Sequence, residues 1–140
     1  DHRDLHSFPT RRSSDLGTKT FLGIHSNGFP NLFIVTGPQG GGGSFNFTEA
    51  IETHSDYLIW ILETMRDQGV GVVDIKKEHE NEYAEHCRAV DISTSAFRDC
   101  ISYYNGEGKA EPGSLSYYGG GQWHKYRANA EQTLDPYIFK

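Results

Sequence analysis

Residues 32–68 read LFIVTGPQGGGGSFNFTEAIETHSDYLIWILETMRDQ, and this stretch decides the fold. Its first five residues form a continuous run of aliphatic, aromatic and β-branched side chains, which Gly37 and Pro38 end. Such a run predicts a strand buried on both faces, as in a parallel sheet. The glycines at 40–43 permit positive φ and a close approach of the backbone to a ligand. A strand, a glycine-rich loop and a helix in this order indicate an α/β fold with a ligand near the loop.

The helix after the loop has the clearest pattern in the sequence. Asn46 is a good N-cap, Glu49 can complete a capping box, and Gly69 suits the left-handed position after the last turn. We therefore expect a helix from about residue 47 to residue 68. Its apolar face recurs at steps of three and four residues: Phe47, Ala50, Ile51, His54, Tyr57, Leu58, Ile61, Leu62 and Met65.

A second helix is expected after Asp74, which can act as its N-cap. Beyond Ser93 the chain becomes rich in glycine and tyrosine, and we expect an irregular tail that wraps over another surface. Trp123 and the tyrosines of the tail could stack on a sugar or a base, but packing in the core is the stronger expectation. The shared face of the second helix comprises Ile75, His79, Tyr83, His86, Cys87 and Val90.

Composition and charge exclude several classes of protein. The chain has 140 residues, which predicts one domain, and 36% of them are hydrophobic, without an apolar run long enough to span a membrane. A net charge of −6 argues against nucleic acid as a partner. Cys87 and Cys100 form no Cys-x-x-Cys pair, so we expect reduced thiols, no metal site and a cytoplasmic location.

The first sixteen residues, DHRDLHSFPTRRSSDL, differ in composition from the rest of the chain. They resemble the in-frame translation of a sequencing-adapter oligonucleotide over their whole length. We therefore expect residues 1–16 to be an artefact that takes no part in the fold. The alternative is a disordered native leader.

The glycine-rich loop does not carry a known phosphate-binding motif. Phe45 stands where a third glycine would be needed, and no Gly-Lys-Ser/Thr sequence follows. The ligand at the loop therefore need not be a phosphate. Ser44 lies outside any Gly-x-Ser-x-Gly motif, and no histidine pair has the spacing of a zinc enzyme.

Several separated motifs do identify a family. Residues 28–33 (GFPNLF), Gly37-Pro38, Asn46 and residues 51–53 (IET) occur in the order found in FAD- and NADPH-dependent Baeyer–Villiger monooxygenases. Residues 103–108 (YYNGEG) and 118–121 (YGGG) resemble the tail motifs of one branch of that family. The resemblance runs from about residue 17 to residue 139. It implies the C-terminal part of such an enzyme, with the dinucleotide fingerprints and the catalytic arginine in a missing N-terminal part.

By this resemblance, residues 17–70 are the C-terminal part of the FAD-binding domain, with its last strand and helix, and residues 71–140 are a C-terminal helix and wrapping tail. The resemblance implies FAD and NADPH as cofactors. The expected reaction inserts one oxygen atom of O2 into a ketone and yields an ester or lactone. The implied partners are this small ketone, O2 and the missing N-terminal part of the same enzyme, and from composition we expect no nucleic acid and no membrane as partners.

The resemblance also assigns candidate site residues. Backbone N–H groups at the start of the helix would face the flavin, because they carry partial positive charge. The predicted contacts with cofactors are Asn46, Phe47 and Thr48 for FAD and Tyr103 for NADP. The predicted loop of the substrate pocket is Gly43, Ser44 and Phe45, and no catalytic or metal-binding residue is assigned.

Two alternatives stay open at this point. One is a fragment of a flavin monooxygenase that oxygenates nitrogen or sulfur. The other is a small binding module that uses its Tyr/Gly-rich tail to hold a sugar or peptide.

Overall fold

The computed structural model describes residues 18–40, 46–90 and 122–140. Two short strands pair antiparallel, with Val73 opposite Phe139, and they share one buried core with the helices. No helix in the described ranges combines the length and hydropathy needed to cross a membrane. The elements in chain order are α1 (Phe47–Gln68), β1 (Val73–Ile75), α2 (Lys77–Val90), α3 (Gln122–Thr133) and β2 (Tyr137–Phe139).

Helix α1 confirms the prediction at both of its ends. The Asn46 side chain accepts a hydrogen bond of 2.8 Å from the backbone N–H of Thr48, as an N-cap does. Gly69 adopts φ 67° after the last turn, and its N–H donates to the carbonyl of Arg66 at 3.1 Å. The Val70 N–H donates to the Met65 carbonyl at 3.0 Å, which completes the C-terminal cap.

The core forms where α1 meets the turn at residues 21–25, the two strands, α2 and α3. Trp123 is fully buried, and its indole Nε1–H donates to the Leu22 carbonyl at 2.9 Å. The expectation that Trp123 packs in the core is therefore confirmed. Three members of the predicted apolar face of α1, Phe47, Ile51 and Leu62, are nevertheless exposed, as is Ile59, so the buried face is narrower than predicted.

The predicted strand over residues 32–36 is wrong for this structure. Its backbone bonds go elsewhere: the Ile34 N–H donates to the Ile24 carbonyl at 2.8 Å, and the Thr36 N–H donates to a side chain of α1. Val35 exposes 41% of its surface. A strand needs a neighbouring strand to pair its backbone groups, and the described part of the chain places none beside this run.

Two further expectations need correction. Asp74 does not cap a helix, because it lies in β1 together with Ile75, and α2 begins only at Lys77. The Asp74 carboxylate accepts instead from the N–H groups of Ile75 and Gly28, at 2.7 and 3.2 Å. The tail after Ser93 is not irregular throughout, since residues 122–133 form α3 and residues 137–139 form β2.

A buried hydrogen-bonded chain joins three parts of the core. His25 Nε2 lies 2.8 Å from the Tyr57 hydroxyl, which lies 2.6 Å from the Tyr137 hydroxyl. Burial lowers the pKa of His25 from 6.5 to about 3, and burial also raises the pKa of Tyr57 and Tyr137. All three groups are therefore neutral at pH 7, and they tie the turn, α1 and β2 together.

Because His25 is buried in its neutral form, we expect the protein to lose stability in mild acid. Between the unfolded pKa of His25, 6.5, and its folded pKa, about 3, the unfolded state binds an extra proton. Stability is therefore full above about pH 6.5 and falls as the pH decreases, by up to about 1.4 kcal/mol per pH unit. Urea unfolding of the native chain and of His25→Gln between pH 7 and pH 5 should show a smaller slope in the variant. Equal slopes would contradict the assignment.

Candidate functional site

The first turn of α1 is open at its N-terminal end. Asn46, Phe47 and Thr48 are all exposed, and Phe47 exposes 66% of its surface. The Thr48 N–H is already bonded to the Asn46 side chain. The Phe47 N–H donates to no group in the described ranges. Free N–H groups at a helix start carry partial positive charge, so this turn can hold the negative edge of a ligand.

Glycines bring the segment before the loop into close contact with the rest of the chain. A Cβ added at Gly23, which has φ 71°, would lie 1.9 Å from the Cα of Gly40. A Cβ at Gly40 would lie 2.8 Å from Cε1 of His54, and one at Gly37 would lie 2.5 Å from the Gly23 carbonyl oxygen. Gly37 and Gly40 therefore allow the backbone to approach other parts of the protein closely, rather than a ligand.

Gln39 fixes the same segment through polar contacts. Its side-chain Oε1 accepts from the Thr20 N–H at 2.9 Å, and its carbonyl accepts from the Tyr83 hydroxyl of α2 at 2.7 Å. Gln39 is fully buried and adopts φ 65°, a conformation that its backbone and side-chain bonds stabilise. The segment before the loop is thus held from α2 as well as from α1.

His54 is a site residue whose contacts the sequence did not reveal. Its Nδ1 lies 3.0 Å from the Thr36 backbone nitrogen, and its Nε2 lies 2.9 Å from the Gly40 carbonyl oxygen. The ring stacks on Trp123, with centroids 5.2 Å apart and planes 16° apart. Burial lowers the pKa of His54, and the nearby Arg127 charge lowers this pKa further.

Asn31 explains why the motif at residues 28–33 contains an asparagine. It adopts φ 59°, and its side chain donates to the Gly71 carbonyl at 3.0 Å and accepts from the Val73 N–H at 2.9 Å. Its own N–H donates to the Val73 carbonyl at 2.9 Å. Asparagine tolerates the left-handed conformation and carries both a donor and an acceptor, so it binds the edge of β1 as a strand residue would.

The other predicted site residues lie outside the described residues: Gly43, Ser44 and Phe45 of the loop, and Tyr103 of the tail. Within residues 18–40, 46–90 and 122–140, no group of three His, Cys, Asp or Glu side chains could hold a metal ion. The described part of the candidate site is therefore the first turn of α1 together with residues 36–40.

Comparison with known proteins gives consistent relatives, although no protein-family model matches the chain. Cyclopentanone 1,2-monooxygenase of Comamonas sp. is 31% identical over 90 residues, which are 64% of this chain and 16% of that protein. The FAD-binding monooxygenase VdtE of Byssochlamys spectabilis is 30% identical over 123 residues, 85% of this chain and 21% of that protein. A Baeyer-Villiger monooxygenase of Pseudomonas aeruginosa is 31% identical over 91 residues, which are 63% of this chain and 17% of that protein.

Solved structures agree with these relatives. A closed crystal structure of cyclohexanone monooxygenase is 28% identical, with a TM-score of 0.69 over 90% of this chain and 24% of that chain. The NADP+-bound cyclohexanone monooxygenase of Rhodococcus sp. Phi1, at 23% identity and a TM-score of 0.75, shares the fold over 90% of this chain and 24% of that chain.

These matches confirm the expected fold class, the C-terminal part of a flavoprotein with two dinucleotide-binding domains, and they do not favour the alternative of a small binding module. The chain spans less than a quarter of the length of the relatives it matches. In sequence and in fold, this chain is thus similar to one segment of the Baeyer–Villiger monooxygenases.

Proposed function

We propose that this chain is part of an FAD- and NADPH-dependent enzyme that inserts one atom of O2 into a ketone and releases an ester or lactone. The proposal rests on two matches to ketone monooxygenases, one in sequence and one in fold. The chain is 31% identical to cyclopentanone 1,2-monooxygenase, and its fold follows that of cyclohexanone monooxygenase over 90% of its length.

The residues of the first turn of α1 fit the flavin by the chemistry of their donors. The ring of reduced FAD carries negative charge along its pyrimidine edge, and the Phe47 N–H, which donates to no group in the described ranges, would supply a donor for that charge. The Asn46 side chain accepts a hydrogen bond from the Thr48 N–H and thereby fixes the first turn of α1. FAD supplies the activation of O2 when bound, and α1 supplies a fixed dipole at the flavin.

The remaining assignments stay predictions. We propose that Gly43, Ser44 and Phe45 line the substrate pocket, that Tyr103 contacts NADP, and that residues 17–70 complete the FAD-binding domain. A cytoplasmic location also stays a prediction. These proposals rest on the motifs that the chain shares with the family, such as residues 28–33 and 103–108.

A chimera tests the proposed function. Residues 18–140 replace the equivalent segment of cyclohexanone monooxygenase, and the product should be yellow, contain about one FAD per chain, and oxidise NADPH when a ketone is added. The separate 140-residue chain mixed with FAD should stay colourless and oxidise no NADPH, because it covers less than a quarter of its relatives. A chimera that folds but binds no FAD would overturn the proposal, as would stoichiometric FAD on the separate chain.

A further inference from the structure

The ring of His54 bridges two backbone groups that lie on one side of the glycine-rich loop. The Thr36 N–H can only donate a hydrogen bond, so His54 Nδ1 is the acceptor of the 3.0 Å bond. The Gly40 carbonyl can only accept, so Nε2 carries the proton of the 2.9 Å bond. Both ring nitrogens are thus used, and the geometry fixes the neutral Nε2–H tautomer.

The protonated ring does not fit this arrangement. A proton on Nδ1 would face the Thr36 N–H, and two donors cannot share a hydrogen bond. The positive charge of Arg127 of α3 lies over Trp123, on which His54 stacks, with its guanidinium carbon 6.0 Å from the Trp123 centroid. The site therefore requires a neutral side chain that offers one acceptor and one donor.

The residues packed around the His54 ring restrict it to a single position. Its exposed fraction is 1%, Trp123 covers one face, and a Cβ at Gly40 would approach Cε1 to 2.8 Å. Since Trp123 is itself bonded to the Leu22 carbonyl, the ring cannot move without displacing α3 or the turn at residues 21–25. The backbone from Thr36 to Gly40 is consequently held in a fixed position relative to α1.

We propose that His54 is a positioning residue for the first turn of α1, which the proposed function places at the flavin. His54 lies two helical turns after Phe47 and holds residues 36–40 against the same helix. It acts through the backbone of Thr36 and Gly40, and it needs no contact with ligand. This inference rests on the proposed function for its catalytic consequence, whereas the two hydrogen bonds can be tested without any cofactor.

Hydrogen exchange in the 140-residue chain tests the bonds directly. The Thr36 amide should be protected in the native chain and should exchange at least about tenfold faster in His54→Leu, which keeps an apolar side chain against Trp123 but loses both bonds. His54→Gln offers one acceptor and one donor and should restore most of the protection. Ile61→Ala, a cavity variant further along α1, is the control for general destabilisation. Equal exchange of Thr36 in the native chain and in His54→Leu would overturn the inference.

Kinetics of the cyclohexanone monooxygenase chimera test the positioning role. His54→Leu should raise the KM for the ketone or lower the affinity for FAD by about tenfold or more, since small displacements of positioned groups are costly. His54→Gln should stay close to the native chimera, and Ile61→Ala should leave both constants unchanged. If Ile61→Ala changed them as much as His54→Leu does, the role would be structural only and the inference would fail. A native chimera without FAD would overturn the proposed function, while the exchange measurement would still decide the bonds of His54.

Discussion

Replacing Gly23 by alanine is expected to prevent cooperative folding of the core. The new Cβ would lie 1.9 Å from the Cα and 2.2 Å from the nitrogen of Gly40, and both are backbone atoms that cannot rotate away. Gly23 also has φ 71°, which an alanine adopts only with strain. We expect the free energy of unfolding to fall by about 4 kcal/mol or more, a large share of the stability of a small domain.

Gly71→Ala is the matched control for this prediction. A Cβ at Gly71 would meet no atom within 4 Å, and its backbone φ is not in the left-handed region. The free energy of unfolding should therefore change by about 0.5 kcal/mol or less. Urea unfolding followed by far-ultraviolet circular dichroism compares the two variants with the native chain. A native-like midpoint for Gly23→Ala would show that the contact between the turn and Gly40 is wrong.

The second large effect concerns the donor at the start of α1. Replacing Phe47 by proline removes its N–H, yet the helix should persist, because proline is accepted at the first helical position. The preceding residue, Asn46, has φ −64° and ψ 133°, an extended conformation that suits a residue before proline. In the chimera, loss of a donor aimed at the flavin should lower the rate of ketone-dependent NADPH oxidation by about 100-fold.

Phe47→Ala distinguishes the effect of the backbone N–H from the effect of the side chain. It removes the exposed ring and keeps the N–H, so its rate should stay within about threefold of the native chimera, since an exposed side chain makes few contacts. FAD content, unfolding temperature and the rate of NADPH oxidation should be measured for both variants. If Phe47→Pro folds and oxidises NADPH as fast as Phe47→Ala does, the first turn of α1 does not face the flavin.

Local signals were sufficient to predict α1. Its N-cap Asn46, its periodic apolar residues and its terminal Gly69 all lie within one stretch of chain, and each acts through neighbours a few residues away. The periodicity predicted the helix correctly but placed Phe47, Ile51 and Leu62 on the buried face, and these three are exposed. The same reasoning placed His54 on the buried face. It could not identify the bonds of His54, because its partners Thr36 and Gly40 lie on the far side of the loop and depend on the tertiary fold.

The elements that sequence analysis missed depend on distant partners. Residues 32–36 have the composition of a strand, but a strand forms only where another strand supplies hydrogen bonds. Val73–Ile75 is a strand because it pairs with Tyr137–Phe139, far along the chain. Helix α3 escaped detection because its twelve residues, QWHKYRANAEQT, are mostly polar and only a few, such as Trp123 and Ala130, are buried.

The pairing of β1 with β2 has a consequence for the chain as it leaves the ribosome. The Lys140 carbonyl accepts from the N–H groups of Gly71 and Val72, so both strands must be present before this edge of the core can close. Synthesis proceeds from the N-terminus at roughly 5–20 residues per second, and the partner of β1 is made several seconds after it. During this interval β1 lacks its partner strand, including Phe139 opposite Val73. This edge of the core can therefore close only after residues 137–140 have been synthesised.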